Sequence, residues 1–586
     1  MTDIILTGAK YLIIIFFAYF TYISFRAQRD VPDERKKASF LLQRITMLLI
    51  HALAFLSICI NIQLYDSIEM KLAQAIGLYA GQLVYLIVMS WVIPSFVSLS
   101  KGLNNVMCMF LTIGFIIQTR LDFDTSLRQF IVIIVSSIVF LVCVFFCKRA
   151  KFMRDLTWIY AIVGLVLLAT VLVLSRVVNG AKLAIDLGFF SFQPAEFVKI
   201  LFVLFVASAF NKANTFKTVL ITAACAAIHV LILVFCHDLG SALILFMIYM
   251  MMLYVATKKL LYVGIGFAGL VVGGLASYKL FHHVQVRISA WRDPWSTIDS
   301  SGYQIAQALF AIGTGGWFGS GLFGGAPKNI PMVSNDMIYA AISEELGGIF
   351  CILLILLCLC YVLMIFRVAI RVNNSFYKLL AFGLGSAYAF QVFLTIGGTI
   401  KFIPLTGVNL PFISSGGSSL LASLISVGMV QALYVISEAD VERERQMVAA
   451  GVPISEFEGY EPKKERSPAQ MRPDDGFIDY YDEPSSRRKK IVQMEPEEDY
   501  DYERYEEHVS QKARISQMVP DEESDYREQH VSQRSRISQM IPEDEFEDFD
   551  DNEYERGIED FEAIRRGRPQ HSSQKRRIRQ LEDDDF

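Results

Sequence analysis

The sequence predicts an all-α polytopic membrane protein with a disordered polar tail, and three observations carry that prediction. Up to residue 436 the chain is a succession of apolar runs of roughly 20 residues, each able to cross ~30 Å of hydrocarbon as a helix. The segments between the runs alternate in charge, as loops on opposite sides of a bilayer do. From about residue 440 the apolar runs stop and acidic residues dominate. The overall balance of 54 Lys and Arg against 59 Asp and Glu hides this break. Residues 440–586 hold 24 basic and 41 acidic side chains, a net of −17, which leaves 30 and 18, a net of +12, for residues 1–439.

Thirteen spans are predicted, at 4–25, 40–61, 72–93, 103–118, 129–147, 156–175, 193–211, 217–235, 238–257, 260–280, 346–366, 378–398 and 414–436. The first lacks a basic leader and a small-residue cleavage site, so it reads as a retained helix and not a signal peptide. With the tail in the cytoplasm, the inside loops are RAQRDVPDERKK, the segment ending at Lys101, KRAKFMRD, NKANTFK, TKK and RVAIRVNNSFYK, most of them rich in Lys and Arg. The outside loops are DSIEM, RLDFDTS and the long stretch 281–345. That bias puts the amino terminus outside and the tail inside. The domain division is therefore 1–102, an extension with three transmembrane helices; 103–439, ten spans with a large extracellular loop at 281–345; and 440–586, the tail.

The nine cysteines all lie in or beside apolar runs, without zinc-finger spacing or a disulfide framework in exposed loops, and read as small buried hydrophobes. The tail is rich in Glu, Asp, Tyr, Arg, Ser and Pro and is expected to be disordered. HVSQKARISQMVP at 508–520 recurs as HVSQRSRISQMIP at 530–542, 22 residues later, with a degenerate copy at 487–496. Basic–apolar motifs set between acidic blocks suit partner recognition; a solvated spacer drifted from a duplication is the plainer alternative.

Chemistry is expected in residues 287–348, a polar, Gly-rich interruption of the apolar pattern. Ser334 and Asn335 suit helix capping, which would place Asp336 in the first turn of the next helix, where the dipole favours a carboxylate. At 100° per residue Glu344 lies about 80° from Asp336 and belongs to the same cleft, while Glu345 lies about 180° away and faces another helix. On residues alone Asp336 is either a helix-start acid at the membrane surface or a functional group. In FQPAEFVKI (192–200) Pro194 fits a first helical position, and Glu196 and Lys199 stand three apart on one face. Inside a span they must pair or face a polar cavity, so a structural ion pair leads and substrate contact comes second.

The cations Lys182, Arg287, Arg292, Lys328 and Lys401 fall on the outer side. With Trp291 and Trp295 nearby they are either interfacial anchors or ligands for an anionic lipid headgroup. Gly313, Gly315, Gly316, Gly319, Gly321, Gly324 and Gly325 allow close backbone approach to a ligand. No GK[ST] phosphate loop is present, so nucleotide binding is unsupported, and nothing points to nucleic acid. Asp238 in HDLG can cap the following helix, with His237 a boundary residue. IPLTGVNLPFISSGGSSLL (403–421) breaks the helical pattern on the outer side before Ser418 and Ser419 open the last span. Broken backbone at membrane depth must line a cavity or lie buried in protein.

These motifs resemble those of the SEDS family of cell-wall polymerases, the FtsW/RodA/SpoVE group. The matching stretches are NGAK (179–182), FQPAEFVK (192–199), HDLG (237–240), RISAWRDP (287–294), GYQIAQALFAIGTGGWFGSGL (302–322), NDMIYAAISEELG (335–347) and TGVNLPFISSGGSSL (406–420), in the family's order over about 103–436. The chain departs from the family pattern in lacking a Trp soon after NGAK, in His237 for Pro, in Asn335 for Thr and in Ser415 for Tyr. The resemblance implies a ten-span SEDS-like core preceded by about three extra helices, and peptidoglycan glycosyltransfer from lipid II. It makes Asp336 the general base for the acceptor 4-hydroxyl, with undecaprenyl pyrophosphate as leaving group. Arg287, Arg292, Lys182, Glu344 and Lys401 become substrate-binding candidates, and Glu196 and Lys199 a needed ion pair. No cofactor is certain, and a divalent cation (Mg or Mn) stays open with no ligand set in the spacing. The implied partners are lipid II, a class B penicillin-binding-protein transpeptidase, and other cell-wall or division proteins reached through the tail. The implied location is the bacterial plasma membrane, with the active site on the outer face. The alternatives are a lipid II flippase and a divisome or elongasome scaffold.

Overall fold

In hydrocarbon every backbone amide must find a partner within the chain, and this sequence meets that demand with helices. The structure, a computed structural model, describes residues 2–29, 32–64, 71–149, 151–175, 184–186 and 191–449. Lys182 and residues 450–586, with the predicted tail disorder and repeat, lie outside the described residues.

In chain order the long helices are α1 (Thr2–Arg26), α2 (Asp33–Leu64), α3 (Leu72–Phe96), α4 (Lys101–Leu121), α5 (Phe123–Arg149), α6 (Thr157–Leu174) and α7 (Pro194–Lys212). There follow α8 (Phe216–Phe235), α9 (Leu239–Thr257), α10 (Leu260–Leu280), α11 (His282–Arg292), α12 (Tyr303–Gly315), α13 (Ile338–Arg371), α14 (Ser375–Thr399) and α15 (Gly417–Ala449). Among the described residues thirteen helices, all of these but α11 and α12, are long and apolar enough to cross a membrane, as the sequence predicts. A two-stranded antiparallel hairpin, β1 (Ile185–Asp186) with β2 (Ser191–Phe192), is the one small departure from an all-helical architecture among the described residues.

Two boundaries differ from expectation. The helix predicted at 346–366 begins at Ile338, because protein, not lipid, surrounds its polar first turns. The last helix, predicted to end at 436, continues to Ala449 through charged residues that water can solvate. The expected loop 281–345 is itself structured: it holds α11, α12, a short turn of 3₁₀ helix (Pro327–Asn329) and the first turns of α13.

Burial sorts the helices. In α4 an entire span's length is buried, while no residue of α10 is. As the central helix, α4 carries polar side chains that serve its neighbours. Asn104 Nδ2 donates to Met89 O at 2.7 Å, inside a π-turn (Val88–Val92) that loosens α3. Asn105 Nδ2 donates to Phe40 O and to Gln43 Oε1, tying α4 to α2. None of the nine cysteines is joined in a disulfide; seven are buried, and Cys59 and Cys143 are partly so.

Candidate active site

The site begins with a break in a helix. Within α13, Gly347 adopts φ 89°, ψ 168°, which only glycine tolerates cheaply, and the ladder opens there. The Gly-rich segment after α12 satisfies the freed groups. Ser320 N and Gly321 N each donate at 2.9 Å, to Glu344 O and Glu345 O, while Gly348 N and Ile349 N donate to Gly316 O and Trp317 O. So close a crossing leaves no room for side chains: a Cβ on Gly319 would lie 2.3 Å from Glu345 O, and one on Gly315 2.1 Å from Ser343 O. The expectation that these glycines clear space for a ligand is therefore corrected at Gly315 and Gly319. They clear space for α13, whose opened backbone must be paired within the protein.

Asp336 lies just before this broken helix. Met337 occupies the cap position and α13 starts at Ile338, so Asp336 is not in the first turn as predicted, and Ser334 and Asn335 are not its caps. Their carbonyls face the segment 410–415 instead. Ser334 O accepts from Ser415 N at 2.7 Å and from Gln118 Nε2 of α4 at 2.9 Å; Asn335 O accepts from Ser414 Oγ. These tertiary bonds outcompete capping and pin the turn. Thr399 Oγ1, at the end of α14, donates to Asp336 O at 3.3 Å.

The Asp336 side chain is 8 % exposed, and its Oδ1 has no hydrogen-bond partner. Burial pushes its carboxyl up to about 6; a backbone hydrogen bond and the charge of Arg287 pull the other way. Facing it is Gly407 (φ 74°), where a Cβ would stand 4.0 Å from Oδ2. Arg287, half-buried on α11, reaches the Leu405 and Thr406 carbonyls at 3.5 Å, and Thr406 Oγ1 is likewise buried without a partner. The arrangement brings a carboxyl, a guanidinium and a hydroxyl together beside Gly407.

The other predicted residues divide. Glu344 Oε1 accepts from Ala326 N at 2.9 Å and its Oε2 is buried without a partner. Arg292 and Lys328 are exposed. Lys401 has left-handed backbone (φ 60°), and its carbonyl accepts from Trp291 Nε1 at 3.0 Å, which binds α11 to the end of α14. Glu196 and Lys199 lie 2.7 Å apart and buried, with Lys199 Nζ also donating to Gln391 Oε1 at 2.8 Å. They sit within a membrane cavity of about 40 Å³ lined further by Tyr361, Tyr388 and Ser423. Asp238 caps α9 by accepting from Ser241 N at 3.0 Å, as the sequence suggested.

Sequence reasoning overlooked Arg120. It pairs with Glu345 at 2.8 Å, donates to Gly325 O and lies 4.1 Å from the Phe323 ring. A lone cation closing an otherwise uncharged stretch of α4 was the available signal. Among the described residues no three or more His, Cys, Asp or Glu stand together to hold a metal ion.

The family model described as "Cell cycle protein", FTSW_RODA_SPOVE, matches residues 95–438. "Peptidoglycan glycosyltransferase RodA" of Mycobacterium bovis is 37% identical over 322 residues, 52% of this chain and 69% of that one. "Probable peptidoglycan glycosyltransferase FtsW" of Aliivibrio salmonicida is 34% identical, covering 46% and 70%. "Stage V sporulation protein E" of Bacillus subtilis is 32% identical, covering 49% and 82%. Among solved structures, a chain from "Structural coordination of polymerization and crosslinking by a peptidoglycan synthase complex" aligns with TM-score 0.51 at 23% identity, over 58% of this chain and 98% of that one, a likeness of fold.

Proposed function

The chain belongs to the FtsW/RodA/SpoVE (SEDS) family, and on that premise we propose that it is a peptidoglycan glycosyltransferase in which Asp336 is the general base. The acceptor 4-hydroxyl attacks the anomeric carbon of a lipid-linked donor. As the new C–O bond forms, the bond to the pyrophosphate oxygen breaks and the electron pair leaves with undecaprenyl pyrophosphate. The hydroxyl proton goes to Asp336. One observation carries this reading: a buried carboxylate oxygen with no partner, on a carboxyl pushed up to about 6. Such a group is mostly ionised at neutral pH yet basic enough to accept a proton. Arg287, beside Asp336, is the best-placed cation for the departing pyrophosphate, since guanidinium binds phosphate oxygens in pairs. A divalent cation bound with the pyrophosphate would supply further charge neutralisation.

The substrate in this reading is lipid II, and the partner a class B penicillin-binding-protein transpeptidase that crosslinks the new strand. The site faces outward, the amino terminus lies on the same side, and the tail lies in the cytoplasm; the Lys and Arg content of the inside loops supports this. The deciding experiment is polymerisation of purified lipid II by wild type and Asp336→Ala, each with and without the transpeptidase and Mg or Mn. Loss of glycan chains in the variant, with a folded protein, is expected. Full polymerisation by Asp336→Ala would overturn the assignment.

A further inference from the structure

The family match begins at residue 95, so α1 lies outside it, yet α1 packs against α13 just past its break and against the glycine-rich segment 316–321 that pairs it. Lys10 Nζ donates to Gly319 O at 3.0 Å. The next residue, Tyr11, meets Phe318 edge-on with ring centroids 5.6 Å apart. One helical stretch further along, Phe17 stacks on Phe350 at 4.1 Å, three residues past the Gly347 break, and both rings are fully buried. At the opposite end Gln28 Nε2 donates to Cys360 O, and Arg367 donates to Gln28 O. Helix α1 and the turn after it are thus joined to α13 beyond the break, at Phe350, Cys360 and Arg367, and to the segment that pairs the break, at Phe318 and Gly319.

We propose that α1 is a brace for this outer segment and that Lys10 is its positioning residue. Lys10 holds Gly319; the following amides, of Ser320 and Gly321, hold the carbonyls of Glu344 and Glu345. Those carbonyls end the short helical stretch that starts directly after Asp336. A cation at Lys10 suits the task because its ammonium binds a carbonyl more strongly than a neutral donor would. The link to turnover rests on the Asp336 reading, whereas the ordering of the strand does not.

The test uses the full-length protein with the transpeptidase and lipid II, and compares Lys10→Met with Lys10→Arg. Hydrogen exchange at Ser320, Gly321, Gly348 and Ile349 should quicken about fivefold in Lys10→Met, the effect of losing one hydrogen bond, and return towards wild type in Lys10→Arg. Turnover should fall by a similar factor in kcat with KM for lipid II unchanged. Unaltered exchange in Lys10→Met overturns the brace even where Asp336→Ala is inactive; faster exchange supports it even where Asp336→Ala polymerises normally. A second variant covers misfolding. A short thiol-reactive crosslinker joining Tyr11→Cys to Phe318→Cys, whose ring contact it would replace, should leave turnover intact. Inactivation on crosslinking, absent when either cysteine is alone, would mean the segment must leave α1, which overturns the proposal.

Discussion

Asp336 and Glu345 are two carboxylates on one short stretch of chain, both buried, at 8 % and 1 % exposure, and the protein treats them oppositely. Glu345 has the Arg120 guanidinium at 2.8 Å and accepts from Phe323 N at 3.1 Å. Asp336 has one oxygen without a hydrogen-bond partner, and Arg287 acts on the carboxyl only through its charge. An acid whose hydrogen-bond sites are filled holds structure; one left unfilled is available to a proton. Glu344 stands between, with one oxygen fixed by Ala326 N and the other without a partner. Burial alone would have ranked Glu345 first, and partners reverse that order.

The comparison breaks most directly at Asp336. Asp336→Asn should lower lipid II polymerisation by about 10²–10⁴, the range for losing a general base, with the protein still folded. A rate near wild type would make the unfilled oxygen a structural accident. On the Glu345 side, Arg120→Met strands a buried charge and should destabilise the protein by roughly 3–5 kcal/mol in thermal unfolding. Replacing Arg120 and Glu345 together by apolar residues should recover most of that loss; no recovery would mean the pair does more than hold the strand. The Glu196–Lys199 pair extends the same logic into the membrane. Lys199→Ala should cost about 3 kcal/mol and more activity than apolar replacement of both residues, for the same reason. Equal damage from both would point to substrate contact.

The smallest effect tests the sign of the Asp336 shift. Its folded carboxyl titrates near 6, above the ordinary value of 3.8, so its burial penalty appears as pH rises through that window. Asp336→Asn should therefore raise stability at pH 7.5 by on the order of 2 kcal/mol and leave it nearly unchanged at pH 3.5. Over the same window wild-type turnover should climb as the base ionises, reaching a plateau above about 7. A flat acid limb between pH 5 and 7 would remove Asp336 from the rate law.

The sequence by itself determined the succession of apolar spans and singled out the polar segment 287–348 with Asp336 in it. Apolar run length answers to bilayer thickness, and a carboxylate beside a hydrophobic helix start is conspicuous without any coordinates. The Glu196–Lys199 pairing was legible too, because residues three apart share a helix face. Tertiary structure alone decided what each polar group meets. Local caps at Ser334 and Asn335 gave way to bonds from Ser414, Ser415 and Gln118, residues far off in the chain. Gly315 and Gly319, open to a ligand when read in isolation, turned out to be packed against the backbone of α13. Arg120 with Glu345 and Lys10 with Gly319 join residues separated by 225 and 309 positions. Periodicity cannot register such pairs, because it describes a chain against its own axis, whereas a buried polar group is satisfied by whichever segment packs beside it.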